Sequence, residues 1–77
     1  MLADGYRMRA QELLAQATRA RDTDQEIELL EGARDHFTYA IDFYRQAGDF
    51  ANSRGNMSDA ADQLGGILVR LQELGIW

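Results

Sequence analysis

The sequence predicts an all-α fold: a three-helix antiparallel bundle, or helical hairpin with a third helix, in which the second helix is central. Three observations carry this reading. Apolar residues recur at helical spacing through three segments. Proline is absent, so nothing forces a break inside them. Glycines and cap-forming Asp and Thr residues fall between the segments, where helices stop and start. At 77 residues the chain forms one small helical domain, 1–77, close to the lower size limit for a self-sufficient core. It has no cysteine, so regular helix packing and self-association are the stabilising devices left to so short a chain.

The first helix is expected over about 5–21. Tyr6, Ala10, Leu13, Leu14, Ala17 and Ala20 fall within an arc of about 120° at 100° per residue, with Asp4 placed as N-cap. The second helix is expected over 24–47. Thr23, Asp24, Gln25 and Glu26 have the form of a capping box, in which the Thr23 hydroxyl and the Glu26 carboxylate satisfy each other's backbone N–H groups. Gly48 then ends the helix in the left-handed conformation. Leu29, Leu30, Ala33, Phe37, Tyr39, Ala40, Ile41, Phe43, Tyr44 and Ala47 cover about 200° of this helix, twice the usual apolar stripe. Such a helix needs neighbours on two sides, and Ala33, Ala40 and Ala47 let one of them approach closely.

A third helix is expected over about 50–74, capped by Asp49. Phe50, Met57, Leu64 and Leu71 repeat every seven residues, with Ala61 and Leu68 at the complementary heptad position. Gly75 closes it in a Schellman end with Ile76. Gly55, Gly65 and Gly66 lie inside it, each costing about 1 kcal/mol relative to alanine. Close helix approach at Gly65 would offset its cost, and a break near 52–56 with Asn56 or Ser58 as a new cap is the alternative.

No motif of catalysis or cofactor binding emerges. His36 is the single histidine and lacks the Glu-x-x-His context of a di-iron carboxylate site. The Asp22-Thr23-Asp24 start of a calcium loop fails at Ile27, where glycine is required, and at Ala33, where a bidentate glutamate is required. Ser53, Ser58, Thr18, Thr23 and Thr38 sit in no nucleophile elbow. Without lysine there is no phosphate-binding loop. The chain is therefore expected not to be an enzyme and to hold no metal or cofactor.

Charge narrows the partners. Thirteen acids oppose eight basic residues, a net charge of −5, which disfavours nucleic acid, since its binders concentrate positive charge. Residues 22–35 alone carry six acids and one arginine. Glu28, Glu31, Asp35 and Asp42 occupy one face of the second helix within about 60°. They form a candidate acidic docking face, or else a solvated face balanced by Arg7, Arg9, Arg19 and Arg21. No apolar run reaches 18 residues and residues 1–21 contain no leader-type apolar stretch, so neither a membrane span nor a secretory signal is expected, and a cytoplasmic location is.

Ala33, Phe37, Ala40 and Ile41, followed by Tyr44-Arg45-Gln46-Ala47-Gly48-Asp49-Phe50, are spaced as in the second helix and inter-repeat turn of a tetratricopeptide repeat. Residues 33–55 resemble that family. Gly55 matches the glycine expected eight positions into a following repeat, Arg45 stands where proline is usual, and the first helix lacks the family's tryptophan, glycine and tyrosine. The resemblance implies antiparallel helices packed on small residues, in a family whose members bind peptides on a concave surface.

The function this supports is a small adaptor or regulatory module that binds a partner protein, or itself as a homodimer, through apolar helix faces. Leu29, Tyr39, Phe43, Phe50, Met57 and Trp77 are the candidate interface. An acidic inhibitor or nucleic-acid mimic that blocks a basic site, and a small-molecule or metal-binding bundle, are the alternatives.

Overall fold

The computed structural model describes residues 2–47 and 53–76. Three helices account for nearly all of them: α1 (Leu2–Thr18), α2 (Thr23–Ala47) and α3 (Ser53–Glu73). The all-α three-helix fold is as expected. α2 packs along both other helices, which meet each other only slightly. The order is up-down-up. Near one end Tyr6 of α1 packs with Tyr39 and Phe43 of α2, while farther along α1 Leu13 reaches Gly32. Arg70, late in α3, bonds Glu26, early in α2.

Helix boundaries moved where side chains found distant or different partners. Asp4 does not cap α1, which starts two residues earlier, because its carboxylate accepts the hydroxyl proton of Tyr44 across the α1–α2 interface. At the other end α1 tightens and stops at Thr18 rather than at residue 21. The amides of Arg19 and Ala20 bond the carbonyls three residues back, at 3.0 and 3.2 Å.

The cap of α2 is Asp22, not Thr23. The Asp22 carboxylate accepts the amide of Gln25 at 2.7 Å, and Gln25 Oε1 lies 3.4 Å from the amide of Arg21. Only the forward half of a capping box is present, one residue earlier, since the Gln25 side chain turns to the amide before the cap and not to that of Asp22. A carboxylate at the N-cap also meets the positive end of the helix dipole. Glu26 is thereby free for Arg70, whose Nε and Nη2 reach its two carboxylate oxygens at 2.8 and 3.2 Å and tie α2 to α3. That guanidinium holds the Glu26 carboxyl below its ordinary value.

The core rests on a few large side chains interlocked with alanines. Phe37, Tyr44, Ile67 and Leu71 are the largest fully buried residues. Ala3, Ala10 and Ala17, seven apart on α1, are buried with Ala33 and Ala40 on α2, so small side chains recur along one face of each helix. Gly32 belongs to the same seam. A β-carbon there would sit 3.3 Å from Leu13 Cδ1, which explains a helical glycine that periodicity alone does not.

α3 runs unbroken from Ser53 to Glu73 through Gly55, Gly65 and Gly66. Asn56 is no second cap; its side-chain oxygen accepts a bond from Arg7 Nη1 at 2.8 Å. The heptad is present, but its second row stands three residues after the first rather than four. Ala60 and Ile67 are buried and Leu74 packs against the core, whereas Ala61 is exposed and Leu68 only half-buried. The physical reason is volume: the row Ala60–Ile67–Leu74 supplies more apolar side chain than Ala61–Leu68–Gly75. Gly65 gives no close approach either, since nothing lies within 4 Å of where its β-carbon would be. The C-terminus of α3 is a Schellman end, with Gly75 at φ 86°. Its amide bonds Gln72 and the amide of Ile76 bonds Leu71, both at 3.0 Å. The proposed stop at Gly48 and cap at Asp49 lie outside the described residues.

Candidate interaction surface

The 200° apolar arc of α2 is largely covered from within the chain. Leu29 and Ile41 pack against the main cluster, and Phe43 and Met57 against a second one built on Ala3, Ala40 and Tyr44. Tyr39 stays 50% exposed. Phe50 and Trp77 lie outside the described residues. The candidate apolar residues are thus divided between two clusters, and two neighbours suffice for most of the arc.

At the α1–α2 seam three rings of α2 gather around Tyr6. Its ring stacks on Phe43 at a centroid distance of 5.5 Å and an interplanar angle of 8°. It meets Tyr39 at 5.5 Å and His36 at 6.0 Å in tilted contacts, and His36 turns its edge to Tyr39 at 6.4 Å. The spacing 36, 39 and 43 places the three α2 rings on one face. His36 Nδ1 donates to the Gly32 carbonyl at 2.8 Å, which fixes the ring's orientation. Sequence reasoning assigned Tyr6 to the core stripe of α1 and His36 to no cluster. The signal was there in the i, i+3, i+7 alignment, but only the antiparallel register adds Tyr6 to it.

Beside this strip runs the acidic face. Glu28, Asp35 and Asp42 are exposed and Glu31 is half-buried. Arginines of α2 itself accompany them, not those of α1. Arg34 Nε lies 3.1 Å from Asp35 and its Nη1 4.0 Å from Glu31, and Arg45 lies 3.9 Å from Asp42. In α1, Arg9 bonds Glu12 at 2.8 Å, and Arg7 turns inward to Asn56 and Asp4. Exposed pairs of this kind each contribute about 0–1 kcal/mol. Four acids against Arg34 and Arg45 leave the face negative.

At one end a polar clasp crosses all three helices. Tyr44 donates to Asp4, while Arg7 spans Asp4 and Asn56. Burial and the Asp4 hydrogen bond push the Tyr44 phenol up to about 12. The Nε of Arg7 is buried without a hydrogen-bond partner. The side chains of the clasp join helices, with Arg7 Nε the one buried polar atom in it left without a hydrogen bond.

Among the described residues no group of three or more His, Cys, Asp or Glu is placed to hold a metal ion, and no helix is long and apolar enough to cross a membrane. Comparison with known proteins adds no relative: no family model, curated protein or solved structure matches the chain.

Proposed function

We propose that this chain is a small protein-interaction module that engages a partner protein on the outer surface of α2 and the α1–α2 seam. One observation carries the reading: among the described residues aromatic side chains are concentrated there, with Tyr39 half exposed at the margin of the strip. Among the described residues the other large exposed apolar side chains are Met8 on α1, Val69 on α3 and Ile76 beyond its end. Tyrosine and phenylalanine are enriched at interface centres because they bury much area for little lost side-chain freedom. The tetratricopeptide-like spacing of residues 33–55 accords with a binding role, as that family's hairpins hold peptides.

A second copy is the weaker occupant. Symmetric pairing across this surface would bring two acidic faces together in a chain of net charge −5. Most of the two-sided apolar arc of α2 is already covered by α1 and α3.

Position-resolved photocrosslinking in native cells tests the module. A photoreactive residue at Tyr39 should give a discrete adduct with another protein, and the same residue at exposed Gln11 or Thr18 should not. Equal labelling at all three positions, or none at Tyr39, overturns the proposal.

A further inference from the structure

Resting on that reading, we infer that the segment bound at the α1–α2 seam is cationic and carries arginine side chains, which lie over the Tyr39 ring between Asp35 and Asp42. Helix geometry sets the frame. Asp35 is four residues before Tyr39, Asp42 three after it, and Phe43 four after it, so all are surface neighbours of that ring. His36 and Tyr6 border it on the other side, at 6.4 and 5.5 Å between centroids.

The combination has a specific chemistry. An aromatic face attracts a cation through its quadrupole, and a guanidinium does this best because it also stacks flat. A carboxylate within a side chain's reach of that ring then accepts the same guanidinium's N–H groups in a paired geometry. An apolar partner would use the rings but bury Asp35 and Asp42 without compensation. An anionic partner would be repelled by both.

The present companions of these carboxylates do not block the exchange. Asp42 and Arg45 are 3.9 Å apart with side chains 55% and 71% exposed, whereas Asp35, 54% exposed, is bonded at 3.1 Å by Arg34, itself 25% exposed. The Asp42–Arg45 pair is screened and weak, so an incoming guanidinium that also gains a ring face displaces Arg45 from Asp42 and joins Arg34 at Asp35. On the α1 side Arg9 is a neighbour of Tyr6 by spacing, but it is bonded to Glu12. Repulsion toward an incoming cation is therefore offset locally.

The test uses the full chain and an alanine-based helical peptide with arginines along one face. Binding is followed by calorimetric titration, with glutamate and lysine versions of the same peptide for comparison. The arginine peptide should bind saturably, the lysine peptide more weakly and the glutamate peptide not at all. Tyr39→Ala and the pair Asp35→Asn with Asp42→Asn should each weaken arginine-peptide binding about tenfold, the scale of a cation–π contact or a charge pair removed from an interface. Asp62→Asn on the exposed side of α3 should leave it unchanged. All these positions are exposed, and circular dichroism verifies that each variant folds.

Loss of binding in the Asn pair with none in Tyr39→Ala would reduce the contact to bulk charge and overturn the inference. So would dimerisation of the wild type, by sedimentation, that Tyr39→Ala abolishes, since the occupant would then be a second copy. If the arginine peptide fails to bind while Tyr39 still crosslinks a partner, the cationic assignment is wrong and the module stands. If both fail, both fall.

Discussion

Replacing Gly65 and Gly66 with alanine should stabilise the isolated domain, and the size of the gain follows from two features of α3. Both residues lie well inside the helix Ser53–Glu73, and neither has the positive φ that marks Gly75. A β-carbon at either position meets nothing within 4 Å. The change therefore adds helix propensity and restricts the unfolded chain, without a packing penalty. Each replacement is worth about 0.8–1 kcal/mol, and neither new β-carbon meets a packed atom, so the pair should give about 1.5–2 kcal/mol.

Unfolding entropy of about 2.1 cal/mol/K per residue gives about 0.16 kcal/mol/K for this chain, or roughly 6 °C per kcal/mol. The double variant should thus melt about 10 °C above the wild type in calorimetry, at every protein concentration. Gly32→Ala is the internal control. It gains the same propensity but pushes Leu13 Cδ1 from 3.3 Å, so its benefit should be smaller. A double variant that melts no higher than the wild type would refute the reasoning, because the open space at Gly65 and Gly66 would then be occupied by a second chain in solution.

Two further perturbations probe the cap and the clasp. Asp22→Ala should cost about 1 kcal/mol through loss of the N-cap bond to Gln25, read from the urea midpoint. Thr23→Ala, inside the first turn, should cost much less; the reverse order would place the cap at Thr23. At alkaline pH the folded chain keeps the Tyr44 proton up to about 12, whereas an unfolded tyrosine loses it near 10. The folded state binds that proton more tightly, so this stabilisation is complete below pH 10 and is lost as pH rises toward 12. Stability should fall there by up to about 1.4 kcal/mol per pH unit, and Tyr44→Phe should flatten that slope.

Much of the fold was legible because it rests on local rules. The central place of α2 followed from the width of its apolar arc, and the end of α3 from Gly75. Two misplaced features share one cause, competition for a side chain that sequence order does not reveal. Asp4 looked free to cap α1 but serves Tyr44, forty residues away. Glu26 looked like half of a capping box but serves Arg70. The α3 register turned on two equally spaced rows of apolar residues, Ala61–Leu68 and Ala60–Ile67, and only counting volume through Leu74 separates them.

The candidate interaction surface was legible by halves, and the halves looked like rivals. Sequence periodicity placed the carboxylates of α2 on one arc and left Tyr39 and Phe43 at the edge of another, so acidic docking and apolar docking read as alternative functions. On the folded chain they become neighbours. α1 covers the middle of the apolar arc and contributes Tyr6 to its margin, which leaves a narrow aromatic strip directly against Asp35 and Asp42. A margin of that composition is a poor seal for a core, because half of Tyr39 remains in water. It is a better receptor for a group that is flat, cationic and rich in N–H donors. The same side chains that weaken the argument for an apolar homodimer therefore strengthen the one for a basic partner, and α1 adds Tyr6 to a ring strip that already adjoins the acidic arc of α2.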